Sequence, residues 1–256
     1  MNNFNDIYNL IINKNKNMKD LFEYIYNKAK SSSLDLYIEY VFEDNGTYGL
    51  TKYNPKDDKN HIFINLYKEN MLKSLNKGQS YEGLERAVII HELGEVDYII
   101  SKLPTINKDE YCDLPDIINN ELRVLISHKH VNELIKKYHL CNIVYNQLAY
   151  KGDVNQIINN LKKWQIIIKI CWILLTYPQF NTEIKNLNIK LEDNIVKDIN
   201  TILEIINNMD TLDNSDSNIK KIENDFNEII NILNKNGMKI DVKDEIKVIS
   251  RRISKE

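Results

Sequence analysis

The run Ala87-Val-Ile-Ile-His-Glu-Leu-Gly-Glu-Val-Asp-Tyr-Ile-Ile100 constrains this chain more than any other stretch. It reads as helix and is apolar on nearly every side, so it must be packed on most sides and the remaining elements must surround it. Three ionisable groups, His91, Glu92 and Glu95, interrupt it. His91 and Glu95 stand at i and i+4, about one turn apart on one face, so both can reach a single ion or water. Glu92 lies a residue further round. An ionised carboxylate in such a place must be paired, metal-bound or protonated. A metal site accounts for all three together.

The chain before this helix changes period. Residues 3–13 and 18–30 carry apolar side chains at helical spacing (Met18, Leu21, Phe22, Ile25 and Ala29 in the second). Leu34 to Phe42 then alternates with a period of two, as a half-buried strand does. Asp44-Asn45-Gly46-Thr47 predicts a tight type I′ turn, with Tyr48 to Tyr53 as the return strand of a hairpin. His61 to Leu66 is a third strand, Tyr67 to Leu75 a short helix ending near Gly78, and the apolar helix runs from about Glu82 to Leu103, stopped by Pro104. Pro115 suits the first turn of a further helix reaching about Leu140.

Beyond Asn142 the pattern is helical only. Asn155–Tyr177, Leu191–Met209 and Ile219–Leu233 show apolar spacings of three and four, broken by Pro178 and the polar stretch from Asp210 to Asp216. Val242, Ile246, Ile249 and Ile253 share one face of a last helix. The expected class is therefore α+β: a small antiparallel-containing sheet with the apolar helix on it, followed by an all-helical C-terminal half. The domain reading is residues 1–150 and 151–256, with the helical half contributing no metal ligand, since no His follows His139.

Composition narrows the function classes. The formal charge of -3, with both signs interspersed, gives no basic stripe for nucleic acid. Cys112, Cys141 and Cys171 show neither paired spacing nor an even count, which fits a reducing compartment. The first eighteen residues lack the apolar core of a signal peptide, and the apolar run from Trp164 to Tyr177 is short for a bilayer and contains Lys169. A cytoplasmic protein without membrane or nucleic-acid partners is expected.

The order helix, two strands, third strand, then a helix reading His-Glu-Leu-Gly-Glu resembles the minimal core of zincin metallopeptidases, above all the ImmA/IrrE-type family with its His-Glu-Leu-Gly-His helix. The resemblance covers roughly residues 34–133. It implies His91 as a metal ligand, Glu92 as the general base that activates a water, Gly94 as the small residue that lets a neighbour approach, and Glu121 on the next helix as an acidic ligand. Where that motif has its second His, this chain has Glu95, which can bind a divalent ion but shifts the donor set toward oxygen. The implied ion is Zn2+ or another divalent metal, the implied substrate or partner a peptide or protein, and His61 to Leu66 the implied strand for a peptide to pair with. His128, seven residues after Glu121 and on its face, is open to two roles, a replacement nitrogen ligand or an electrophile beside the metal, and stands outside the expected ligand set of His91, Glu95 and Glu121; His130 points elsewhere.

Two other readings of these residues stay open. One is a catalytically inactive zincin-like interaction or regulatory protein, holding no metal, with Glu95 paired to a basic neighbour such as Arg86, Lys102 or Arg123. The other is a di-metal carboxylate protein using Glu92, Glu95, Glu121 and His128, although the second Glu-x-x-His that such bundles use is missing.

Overall fold

The computed structural model describes residues 7–9, 11–42, 46–54, 61–75, 79–103, 116–148, 150, 152–180 and 183–238. The Pro104 stop, the Pro115 start, Gly78 and the helix at 242–253 lie outside them. The first helix, α1 (Lys16–Ser31), is capped by Asn15, whose side chain accepts from the Met18 amide, and buries Met18, Leu21, Phe22, Ile25 and Ala29 as the spacing predicts.

Three strands follow: β1 (Asp35–Val41), β2 (Gly49–Asn54) and β3 (His61–Tyr67). They are not joined as a hairpin. β3 lies between the other two, parallel to β1 in the register Asp35 to His61 through Val41 to Tyr67, and antiparallel to β2 in the register Gly49 to Leu66 through Asn54 to His61. Gly46 does adopt the positive φ that the Asn-Gly pair suggested. Burial nevertheless decides the strand order: β3 is the most apolar strand, with Ile62, Ile64, Leu66 and Tyr67 buried, and the centre of the sheet shields it on both edges. β1, which carries Asp35 and Glu39 on its exposed side, suits an edge. With both its edges paired, β3 cannot accept a peptide strand, which corrects that expectation; β1 and β2 are the edges among the described residues.

After the short α2 (Lys68–Ser74) comes α3 (Tyr81–Ile100), started by Ser80, whose hydroxyl accepts from the Gly83 amide. It is buried all round, from Leu84, Val88 and Ile89 to Leu93, Val96 and Ile100, and α1, α2, β2 and β3 pack against it together with α5 (Cys141–Tyr145). Two buried carboxylates of α3, Glu85 and Asp97, have hydrogen-bond partners on other elements. Glu85 accepts from the Tyr40 and Tyr81 hydroxyls, and burial together with that carboxylate holds both phenols well above the usual tyrosine range. Asp97 accepts from the Lys28 ammonium of α1 at 2.7 Å, and Lys28 also donates to Ser101 Oγ at 2.6 Å.

The next helix, α4 (Asp116–Lys137), precedes α5. The helical region then differs from the single helix expected over 155–177. Asp153 caps a short α6 (Val154–Ile158), and α7 (Lys163–Thr176) starts anew after a break at 159–162, where two asparagines compete for the backbone and Gln165 reaches back to the Lys162 amide. α8 (Asp193–Asn207) and α9 (Asp216–Lys235) follow; Ile167 and Cys171 of α7, Ile199 and Ile202 of α8, and Ile222 and Phe226 of α9 are buried. The chain is thus α+β, with a three-stranded mixed sheet and a helical C-terminal half. By contacts it forms two compact units, one of residues up to 101 with 131–148, the other of 102–130 with 149–252. No helix among the described residues is long and apolar enough to cross a membrane.

Candidate metal centre

The centre is built on α3 and α4. His91 and Glu95 stand one turn apart on α3, as the sequence requires. α4 comes close because residue 94 has no side chain: a Cβ there would lie 2.8 Å from Val131 Cγ2 and 3.2 Å from Val131 Cα. The small residue expected at Gly94 therefore has a geometric reason. His128 stands three residues before Val131 on the same unbroken helix, one turn away.

His91, Glu95 and His128 each offer a ligand atom, and these atoms lie within 4.8 Å of one another. Donors at about 2.1 Å from a tetrahedral ion stand about 3.4 Å apart, a spacing inside that limit. The donor set, two imidazoles and one carboxylate, suits a divalent ion at such a centre. His91 is half-buried, yet the surrounding protein lowers its pKa to about 4 by desolvation, which keeps the imidazole neutral and able to ligate at neutral pH. His128 is buried, and its Nδ1 lies 2.7 Å from Thr176 Oγ1. His130, also buried, is turned to the Thr211 carbonyl O at 2.8 Å, away from the centre as expected.

Glu92 is not one of the three. It leans toward the sheet, where the Thr51 hydroxyl of β2 donates to its Oε2 at 2.8 Å. A Cβ at Gly49 would lie 2.9 Å from Glu92 Cγ and 2.6 Å from Val88 Cγ1, so β2 approaches α3 closely at this point. Burial pushes the Glu92 carboxyl up to about 7, with the Thr51 hydrogen bonds pulling the other way. A carboxyl poised there exchanges protons near neutrality.

Glu121, the acidic ligand that the resemblance implied, sits on α4 in the part whose side chains lie outside the described residues, as does Arg123. Arg86 is paired with Glu82. Thr51 and Thr176, which contact Glu92 and His128, were missed from sequence because a lone threonine carries no spacing signal. No protein-family model, curated protein or solved structure matches the chain.

Proposed function

We propose that this chain is a divalent-metal-dependent peptidase of zincin type, with His91, Glu95 and His128 as ligands and Glu92 as general base. The observation that carries the proposal is the convergence of two imidazoles and one carboxylate from α3 and α4, next to a helix position whose carboxyl has a pKa near neutrality. The His-Glu-Leu-Gly-Glu helix replaces a nitrogen ligand by an oxygen, and His128 supplies a nitrogen from the following helix, so the proposed donor set is again two His and one Glu. Zinc fits this set, and the 2-His-1-carboxylate grouping also suits iron.

A divalent ion held here supplies a Lewis acid for a carbonyl and acidifies a water. Glu92 would take a proton from the attacking water as its oxygen bonds to the peptide carbonyl carbon, and would give that proton to the amine that leaves as the C–N bond breaks, a shuttle for which a pKa near 7 is matched. In this reading the substrate is an extended peptide that pairs with β2, the edge strand whose Gly49 and Thr51 touch Glu92. The thiols of Cys141 and Cys171 are free, which supports a reducing, cytoplasmic setting.

A second reading, a metal-holding domain without hydrolase activity, is favoured by one observation, the hydrogen bond from Thr51 that already engages Glu92. The test is elemental analysis of protein purified without added metal, followed by peptide-library cleavage read by mass spectrometry. About one ion per chain, lost in His91→Ala, and cleavage reduced by roughly 10²–10⁴ in Glu92→Gln support the peptidase. An ion without cleavage supports the second reading, and metal-free protein with no dependence on His91 overturns both.

A further inference from the structure

We infer that Thr176, the last residue of α7, is a positioning residue for the metal ligand His128. The inference rests on the reading of His91, Glu95 and His128 as one metal centre. Its basis is the 2.7 Å contact between Thr176 Oγ1 and His128 Nδ1, made across 48 residues of chain at a ring that is only 9% exposed. A ring nitrogen engaged at that distance is committed. When Nδ1 carries the proton and donates it to the threonine oxygen, Nε2 is the ring nitrogen that can act as ligand atom.

The contact does two things that α4 by itself cannot. Val131 against Gly94 sets how closely the helix approaches, and His130 on the Thr211 carbonyl O helps to fix its rotation. Neither sets the torsion of the His128 ring or the position of its proton. A hydroxyl on Nδ1 fixes both, as the outer partner of a metal-bound histidine does, and loss of such a partner costs roughly ten- to a hundredfold in metal affinity. Thr176 thereby acts on His128 from a position 48 residues further along the chain.

The probe is Zn2+ alone, titrated against a chromophoric chelator, with wild type, Thr176→Val, Thr176→Ser and His128→Ala. Thr176→Val keeps the shape and removes the hydroxyl, and should weaken zinc by roughly ten- to a hundredfold. Thr176→Ser should recover affinity to within about threefold of wild type, and Thr176→Val should add nothing in the His128→Ala background. Nitrogen-15 NMR of the metal-free protein supplies a readout that does not depend on the ion: His128 should be the Nδ1–H tautomer in wild type and in Thr176→Ser, and lose that preference in Thr176→Val. Should Thr176→Val not fold, Thr176→Ala replaces it in every comparison.

Wild-type zinc affinity in Thr176→Val with an unchanged tautomer overturns the role of Thr176 and leaves the metal centre standing. A loss that persists in the His128→Ala background overturns it as well, since it marks a general effect of α7 on folding. Wild-type protein that binds no zinc through His91 overturns the centre and this inference together.

Discussion

His91 and Glu92 are chain neighbours whose burial has opposite consequences for pH. Glu92 rises from 4.5 to about 7 on folding, so the folded state holds its proton more tightly; that contribution is full below pH 4.5 and is lost as pH rises to 7. His91 falls from 6.5 to about 4, so its contribution is full above pH 6.5 and is lost as pH falls to 4. Each displacement is about 2.5 units, an upper bound of about 3 kcal/mol, and between pH 4.5 and 6.5 the two slopes cancel. Chelated Glu92→Gln should therefore gain stability relative to wild type as pH rises across that window, and His91→Gln should lose it. Denaturant titrations at pH 4.5, 5.5 and 6.5 check this; parallel curves for the three proteins would contradict it. Spacing alone brought His91 and Glu95 into view, because i and i+4 is a property of any helix. Glu121 and His128 share one face of α4 two turns apart, so which level of the helix lies beside His91 is a matter of its position along its axis, and no local pattern carries that.

At the scale of elements, α3 shows why a sequence reveals a buried charge more readily than its partner. Glu85 and Asp97 belong to the same helix as His91, but Tyr40 and Lys28, which reach them from other elements, are 45 and 69 residues away, whereas the Tyr81 hydroxyl on Glu85 stands at i and i+4. The strand order escaped for a similar reason: the Asn45-Gly46 signal is local, whereas the central place of β3 follows from how much of it must be shielded. Strand and helix identities survived, since periods of two and 3.6 are set by the backbone. Lys28→Met should take the ammonium away from buried Asp97 and cost at least about 2 kcal/mol, discounted for the partial exposure of Lys28, while Lys28→Met with Asp97→Leu should recover most of it. A double variant less stable than the single one would mean that Lys28 acts by packing on Tyr24 and not by pairing. Gly94→Ala, by contrast, presses on Val131 Cα, which cannot rotate away, and so displaces α4. Zinc affinity should fall together with stability in that variant, whereas Lys28→Met should lower stability alone.

For the whole molecule, the metal reading makes stability a function of ion concentration. An ion that binds only the folded chain stabilises it by RT ln(1 + [L]/Kd), about 2.7 kcal/mol at a hundred times Kd, and chelation removes that amount. A domain of 150–250 residues loses roughly 2–4 °C of thermal midpoint per kcal/mol, so chelator should lower the midpoint by about 5–10 °C. Glu95 separates the alternatives, because a ligand and a merely buried carboxylate respond oppositely. As a ligand, Glu95→Gln weakens the ion by removing its charge and shrinks the chelator effect, and Glu95→His keeps a metal while shifting preference toward zinc, since a third imidazole suits that ion. As an ordinary semi-buried acid, Glu95→Gln is neutral or mildly stabilising, and neither variant changes metal content. Thermal melts with and without chelator, paired with elemental analysis of wild type, Glu95→Gln and Glu95→His, distinguish the two. A wild-type midpoint indifferent to chelator, in protein without metal, would remove His91, Glu95 and His128 as ligands together and leave Glu92 as a carboxyl whose pKa is raised by burial alone.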